Sequence, residues 1–524
     1  MRHDINVLTP PITDDLRLAS SRVLLNPAAD GRRVIVLANR EPLSHEWDAE
    51  GRIETKVSTS GLVTASEPLV RESGGVWVAH GSGSADRAVV DRWDGVMIPA
   101  EDPAYRLRRV WLEAAEQAGY YYGFANDGLW PLCHRVHVRP EFRSADFDMY
   151  WTINARFAEA VCDEAQDDPA IVFVQDYHFA LAPLMIRERL PFGTIAGFWH
   201  IPWPSVERFE ICPWAAYLVE GMLGADLFGF QTPQDCAHFL DAAQSLLGAE
   251  VDRRRAIVTH EGRRTQVRAY PASVQCEPAC LREAGSIERS GRAVRARHGL
   301  RERDRLVVGV DRLDYTKGIE EKILAFERLL EMYPQFVDSA VFVQVAQPSR
   351  QLLKPYQEVR ERVLAAAARV NARFATASWR PIVLIEDAQP PAEVYRLYRA
   401  ADVCYVGSLH DGMNLVAKEF VTARDDDHGV LVLSGFAGAA QELTDAVMIN
   451  PYDVEGTANA LASALEMHAI EQQHRMRRMR AHVRAWDARA WGARVLEDAE
   501  RAGGGPEIRV PDARTSATVP LSLG

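Results

Sequence analysis

Between residues 305 and 333 the chain reads RLVVGV, DRLDYTKG and IEEKILAFERLLEMY: an apolar strand, a charged turn and an amphipathic helix. That order places Arg312 and Lys317 on a loop where a parallel strand feeds a helix. In open α/β sheets such loops form the ligand crevice. A helix N-terminus adds unpaired N–H groups and the positive end of its dipole. Two fixed cations there suit a doubly charged leaving group, such as the diphosphate of a nucleotide sugar. The competing reading is a solvated turn whose charges pair with Asp311 and Asp314, and this segment alone leaves the two level.

A second unit repeats the design. ADVCYVG (401–407) has a buried-strand pattern, SLHDGMN is a polar loop, and LVAKEFVTAR has helical spacing. Asp411, Asn414 and Glu419 are the polar side chains near that helix entrance. A carboxylate in the second turn would accept hydrogen bonds from the vicinal hydroxyls of a ribose. The N–H groups of Asn414, Leu415 and Val416 would be free to face a phosphate. In isolation Asp411 reads as a turn residue and helix cap, and Glu419 as a surface charge.

VDRLDYTKG, LHDGMNLVAKEF, SGFAGAAQEL and NPYD, in this order, resemble the trehalose-6-phosphate synthases, the retaining glycosyltransferase family 20. Upstream, VLANR (36–40), GLWPLCH (128–134), QDYH (175–178), FWHIPWPS (198–205) and LGADLFGFQT (223–232) continue the match. The resemblance spans roughly residues 33 to 500. It implies an α/β fold of the GT-B type, two Rossmann-like domains facing a central cleft with a C-terminal helix crossing back. It also implies glucosyl transfer in which Arg312 and Lys317, rather than a metal, take up the charge of the leaving diphosphate. The acceptor hydroxyl would attack the face that the diphosphate leaves, so the anomeric configuration is kept.

Carried over motif by motif, the donor glucose meets Asp176 of QDYH, His200 of FWHIP, and Asp411, Gly412 and Met413. Gly61 of STSGLVTA lies near the donor phosphates, and Glu419 meets the ribose. Arg40 and Arg350 would hold the phosphate of glucose 6-phosphate, with Tyr121 giving an O–H and Trp130 an aryl face for the pyranose. His178 falls outside the contacting set, and Trp77 and His80 are neighbours without an assigned role. The chain departs from the family pattern at Glu41 after Arg40, Ser60, Gln175, His410 and Gly435. Arg-Glu-Pro at 40–42 also occurs in glucosylglycerol-phosphate synthases, which makes glycerol 3-phosphate the alternative acceptor. A non-catalytic sugar-phosphate sensor is a third reading, opposed by the intact Arg312, Lys317 and Glu419, and a nucleotide-sugar epimerase is a remote fourth.

The elements that must position these residues follow from the apolar runs. RVIVLAN (33–39), IVFVQD (171–176), TIAGFWH (194–200), DLFGFQ (226–231) and QVRAYP (266–271) read as strands, with helices such as 148–165 and 181–190 between them. A second alternating series begins at RLVVGV and continues through 341–346, 382–387, 401–407, 429–434 and 447–451. Alternation of this kind implies parallel sheets. The expected division is a polar extension at 1–32, an acceptor-side domain at 33–280, a nucleotide-sugar domain at 281–482, a crossover helix at 483–502 and a disordered tail at 503–524.

Composition narrows the partners. A net charge of −13 over 524 residues argues against nucleic acid or an anionic membrane, so a phosphate site must be a local basic pocket. No apolar run approaches the ~20 residues of a membrane span, and MRHDINVLTPPITDD lacks the pattern of an export signal. Seven scattered cysteines point to reduced thiols in a cytoplasm, and the close pair Cys276 and Cys280 lacks zinc-ligand spacing. The partners expected are small-molecule substrates, with a homo-oligomer left open and no metal or cofactor.

Overall fold

The structure, a computed structural model, describes residues 33–58, 61–166 and 170–503. The extension at 1–32, Ser60 and the tail after Gly503 lie outside the described residues. Among the described residues two large sheets carry the fold, beside a two-stranded antiparallel hairpin of Leu43–Trp47 and Ile53–Val57. The first has ten strands, in the order Glu250–Asp252, Ile257–His260, Arg263–Ala269, Leu227–Phe230, Thr194–Phe198, Ala170–Gln175, Arg33–Leu37, Val76–His80, Tyr105–Val110, Gly95–Ile98. From Arg263–Ala269 to Tyr105–Val110 every pairing is parallel, and only the outer strands run antiparallel. These parallel strands are near-continuous apolar runs because helices cover both faces, as the fully buried AIVFVQ of Ala170–Gln175 shows.

The second sheet has six strands, all parallel, in the order Ile382–Ile385, Ala340–Pro348, Arg305–Leu313, Val403–Val406, Val430–Ser434, Val447–Ile449. In chain order this is 3-2-1-4-5-6, the doubly wound arrangement whose strand order reverses between the first and fourth strands. The reversal leaves a crevice at the carboxyl ends of Arg305–Leu313 and Val403–Val406. In the first sheet the strand order reverses between Ala170–Gln175 and Arg33–Leu37. Each reversal therefore sits directly below residues that sequence reasoning selects.

The helix Ala469–Ala485 ends at Trp486, and Asp487 caps a new helix, Ala488–Ala502, through a hydrogen bond from Ala490 N. The expected 483–502 segment is thus interrupted by a turn. The last helix returns to the first lobe, where Trp491 is fully buried against Phe173 and Phe198 and donates to the Tyr270 carbonyl at 3.1 Å. Gly492 lets it close on Leu69, since a Cβ there would stand 2.4 Å from a Leu69 methyl. Lys418 Nζ reaches back to the Ala272 carbonyl at 2.7 Å, and Trp486 Nε1 to that of Pro271 at 2.8 Å, so the two lobes are tied near residues 270–272.

Candidate active site

Arg312 lies on the extended strand Arg305–Leu313 itself, which runs further than the expected RLVVGV, and Lys317 closes the short 3-10 turn Tyr315–Lys317. Gly318, at φ +62°, then redirects the backbone into the helix Ile319–Met332. A side chain there would meet the Gly407 carbonyl at 2.4 Å, so glycine is required twice over. The reading in which these charges pair within their own turn fails. Asp311 bonds Lys322, Asp314 faces Arg350, and Lys317 forms its ion pair with Asp411 from the neighbouring loop. The Arg312 side chain has no ion pair or hydrogen bond among the described residues; its guanidinium lies 5.6 Å from the Trp130 ring centre.

Asp411 is no helix cap. Asn414 holds that role, accepting from Ala417 N at 3.2 Å, while its amide donates to Asp411 at 3.0 Å. The carboxylate of Asp411 is buried, which would raise its pKa, but Lys317 and the Asn414 amide more than offset this and hold it below the usual range. The N–H groups of Asn414, Leu415 and Val416 find no partner among the described residues, which leaves the helix entrance open to an anion. Met413 is buried in the same turn. Glu419 is not a free surface charge: Tyr398 donates to it at 3.0 Å, and burial raises its pKa.

The other lobe meets this loop closely. A Cβ on Gly412 would stand 2.3 Å from the His200 carbonyl oxygen, so only glycine permits the approach. Asp176 adopts φ +73°, a left-handed conformation that costs an L-residue energy and marks a position held by its surroundings. It accepts from His200 N at 3.0 Å, and burial pushes its pKa up to about 6 against the pull of backbone N–H groups, Arg350 and Arg312. His200 Nε2 lies 2.6 Å from Gln175 Oε1. Burial lowers the His200 pKa to about 3, which keeps the ring neutral. Gln175, a departure from the family pattern, is thus in direct contact with this ring.

Around the acceptor residues the helix is not α. Ala118–Leu129 is a π-helical stretch, which no periodicity argument anticipates, and it delivers Tyr121 and then Trp130 to the cleft. Burial would raise the Tyr121 pKa, yet Arg350, Arg40 and Arg312 together bring it below the ordinary phenol value. All three guanidiniums therefore act on one phenol oxygen. Tyr121 also stacks on His178 at 5.6 Å and 8°, so the histidine left out by sequence reasoning forms the floor under the phenol. A pocket of about 420 Å³ opens here, lined by Arg40, Lys56, His80, Ser82, Gln117 and Tyr121 among others.

Two expectations change. Trp130 is only 5% exposed, with Arg350 at 4.0 Å over its ring and His134 at 4.3 Å, so its face carries guanidinium and imidazole rather than lying open to a pyranose. Arg350 does not offer a full fork. Its Nη atoms engage Asp314, Tyr356 and Tyr177, which leaves Nε as the free donor. Arg350 Nε, Trp130 Nε1 and His178 Nε2 are all buried without hydrogen-bond partners among the described residues. Arg40 is exposed, with no ion pair among the described residues. Gly61 opens the helix Gly61–Ser73.

Sequence reasoning also missed the buried network behind Arg40. Glu41, 4% exposed, accepts from Arg109 Nε at 2.9 Å and from Ser82 N and Oγ, while Arg109 Nη2 faces Asp86 at 2.8 Å beside His45. Its one signal was Glu41 itself, an acid following Arg40 just beyond the apolar strand RVIVL. Among the described residues, the only group with metal-ligand spacing is Glu220, His260 and Glu261, outside the cleft residues named above.

The sequence profile of Glycosyltransferase family 20 matches residues 32–501. Trehalose-6-phosphate synthase of Mycobacterium avium (strain 104) is 39% identical over 479 residues, covering 90% of this chain and 95% of the relative. Among solved structures, trehalose-6-phosphate synthase from E. coli bound with UDP-2-fluoro glucose superposes with TM-score 0.79 at 30% identity, covering 90% of this chain and 99% of that one. An α,α-trehalose-phosphate synthase (UDP-forming) from Burkholderia xenovorans in complex with glucose-6-phosphate gives TM-score 0.79 at 33% identity over 89% of this chain and 100% of the other. No helix among the described residues is long and apolar enough to cross a membrane. With its doubly wound sheets and this breadth of likeness, the chain belongs to glycosyltransferase family 20.

Proposed function

We propose that this chain is a trehalose-6-phosphate synthase, transferring glucose from UDP-glucose to glucose 6-phosphate with retention to give α,α-trehalose 6-phosphate and UDP. The bond between the anomeric carbon and the β-phosphate oxygen breaks as the acceptor hydroxyl bonds to the same face, and its proton passes to a leaving phosphate oxygen. Arg312 and Lys317 take up the charge on the departing diphosphate, aided by the open N–H groups at Asn414–Val416. Preorganised cations in a water-poor cleft are worth roughly 3–4 kcal/mol each in such a step. Asp176 accepts from a donor-sugar hydroxyl, and His200, neutral, lies beside it. Glu419 receives the ribose hydroxyls, and Asp411, oriented by Lys317, faces the glucose with Gly412 and Met413. Arg40, Tyr121 and Arg350 Nε hold the acceptor phosphate.

The observation that carries the reading is the meeting of two sheet reversals. Arg312 and Lys317 leave one, and Arg40 and Asp176 leave the other, with Arg350 over Trp130 joining the lobes at 4.0 Å. No step calls for a divalent ion, and the cations take the place one would fill. Product analysis with UDP-glucose and either glucose 6-phosphate or glycerol 3-phosphate tests the acceptor. Trehalose 6-phosphate as the main product is expected; turnover with glycerol 3-phosphate alone would overturn it.

A further inference from the structure

A second cleft, of about 440 Å³, lies between the lobes. Its lining shares only Asp411 and Gly412 with the donor residues above and none of the acceptor residues. Arg135, Arg208 and His238 come from the first lobe, and His410, Phe436 and Gln441 from the second. Its charges are unbalanced. Arg208 donates through Nε and Nη2 to the carbonyls of Leu132, Pro131 and His134, so it meets no carboxylate, and its Nη1 has no partner among the described residues. The exposed Arg135 side chain likewise has no partner among them.

The acids in the lining are already engaged. Asp235 accepts from Trp203 N at 2.9 Å, Thr232 N at 3.1 Å and Thr232 Oγ1 at 2.6 Å, and Asp411 is paired with Lys317. His410 Nδ1 accepts from Arg135 N at 3.0 Å across the lobes, which fixes its free N–H at Nε2. Phe436, 38% exposed, adds an apolar wall, and Gln441 an amide.

We propose that this cleft is a second site, binding a small phosphate- or carboxylate-bearing metabolite between Arg135 and Arg208 on one lobe and His410 and Gln441 on the other. Two guanidiniums without counterions among the described residues make an anion receptor, to which Arg135 offers a forked pair of N–H donors and Arg208 its Nη1. Because the walls belong to different lobes, the anion favours their apposition. Because His410 adjoins the Asp411 that orients Lys317, the site is placed to regulate the chemistry described above.

The test is calorimetric titration of the full chain with inorganic phosphate and, separately, citrate. It is run on wild type, on Arg40→Ala/Arg312→Ala/Arg350→Ala, and on that triple variant carrying Arg135→Glu. The triple variant is expected to keep one anion-binding event, and Arg135→Glu to weaken it roughly tenfold or more. The tighter probe assigns the anion class. Loss of all binding in the triple variant, or indifference to Arg135→Glu, would overturn the proposal. Should the triple variant fold poorly, the thermal shift induced by phosphate in otherwise wild-type protein decides instead: it must shrink in Arg135→Glu and in Arg208→Gln, and equal shifts would refute the site.

Discussion

Arg312→Ala and Lys317→Ala should separate catalysis from stability, because the two cations differ in what they touch. Each is expected to lower kcat by roughly 10²–10³, the effect of removing one preorganised charge from a developing oxyanion. Their effects on folding diverge. Arg312 has no ionic partner among the described residues and lies 5.6 Å from the Trp130 ring centre. Its loss forfeits about 0.5–1 kcal/mol of cation–π attraction and a longer-range pull on Asp314 and Asp176, so unfolding free energy should change less than on loss of Lys317. Lys317 is the counterion of Asp411, and both side chains are 14% exposed. Removing it leaves a carboxylate with side-chain hydrogen bonds from Asn414 at 3.0 Å and Ser408 at 3.3 Å but no cation paired with it among the described residues, a loss of about 1–3 kcal/mol. The assays are single-turnover release of UDP and denaturant unfolding of each variant. Near-normal turnover in either variant would remove that residue from the chemistry. A larger destabilisation from Arg312→Ala than from Lys317→Ala would refute the assignment of partners.

Arg350→Ala should raise the KM for glucose 6-phosphate at least roughly tenfold while leaving that for UDP-glucose within about twofold, as steady-state kinetics would show; the reverse pattern would move Arg350 to the donor side. Gly412→Ala should cut kcat/KM by roughly tenfold or more with little change in unfolding, since a Cβ 2.3 Å from the His200 carbonyl blocks the approach of the lobes and not the fold of either. Burial and the neighbouring Asp86 push Glu41 up to about 7 from 4.5, against the pull of Arg109. Between those values the native state keeps a proton that the unfolded chain has lost, so this group's contribution to stability falls as pH rises through the window. Unfolding curves from pH 4.5 to 7 should therefore show a shallower decline in Glu41→Gln than in wild type, and parallel profiles would dismiss the shift.

Much of the fold was legible because parallel strands buried on both faces are written as apolar runs, as in RLVVGV and IVFVQ. The donor loops were locatable for a related reason: strand, polar loop and helix follow one another without interruption around Lys317, Asp411 and Glu419, although the local readings of Asp411 as a cap and Glu419 as a surface charge did not hold. What failed was long-range pairing. Nothing in DRLDYTKG says that Lys317 would turn to Asp411 while Asp314 is reserved for Arg350, because those contacts cross 94 and 36 residues. Trp130 read as a sugar platform because an aromatic near a pyranose site suggests stacking, yet tertiary packing put Arg350 on its ring. The π-helical Ala118–Leu129 has no sequence period to betray it, and the Glu41–Arg109–Asp86 network joins strands and loops that only the sheet brings together.

The most direct test of cation-assisted, retaining transfer is proton NMR of the first product formed from UDP-glucose and glucose 6-phosphate in excess EDTA. The account predicts undiminished turnover and anomeric signals of an α,α linkage alone. A β-configured product, or activity abolished by the chelator and restored by a divalent ion, would contradict it.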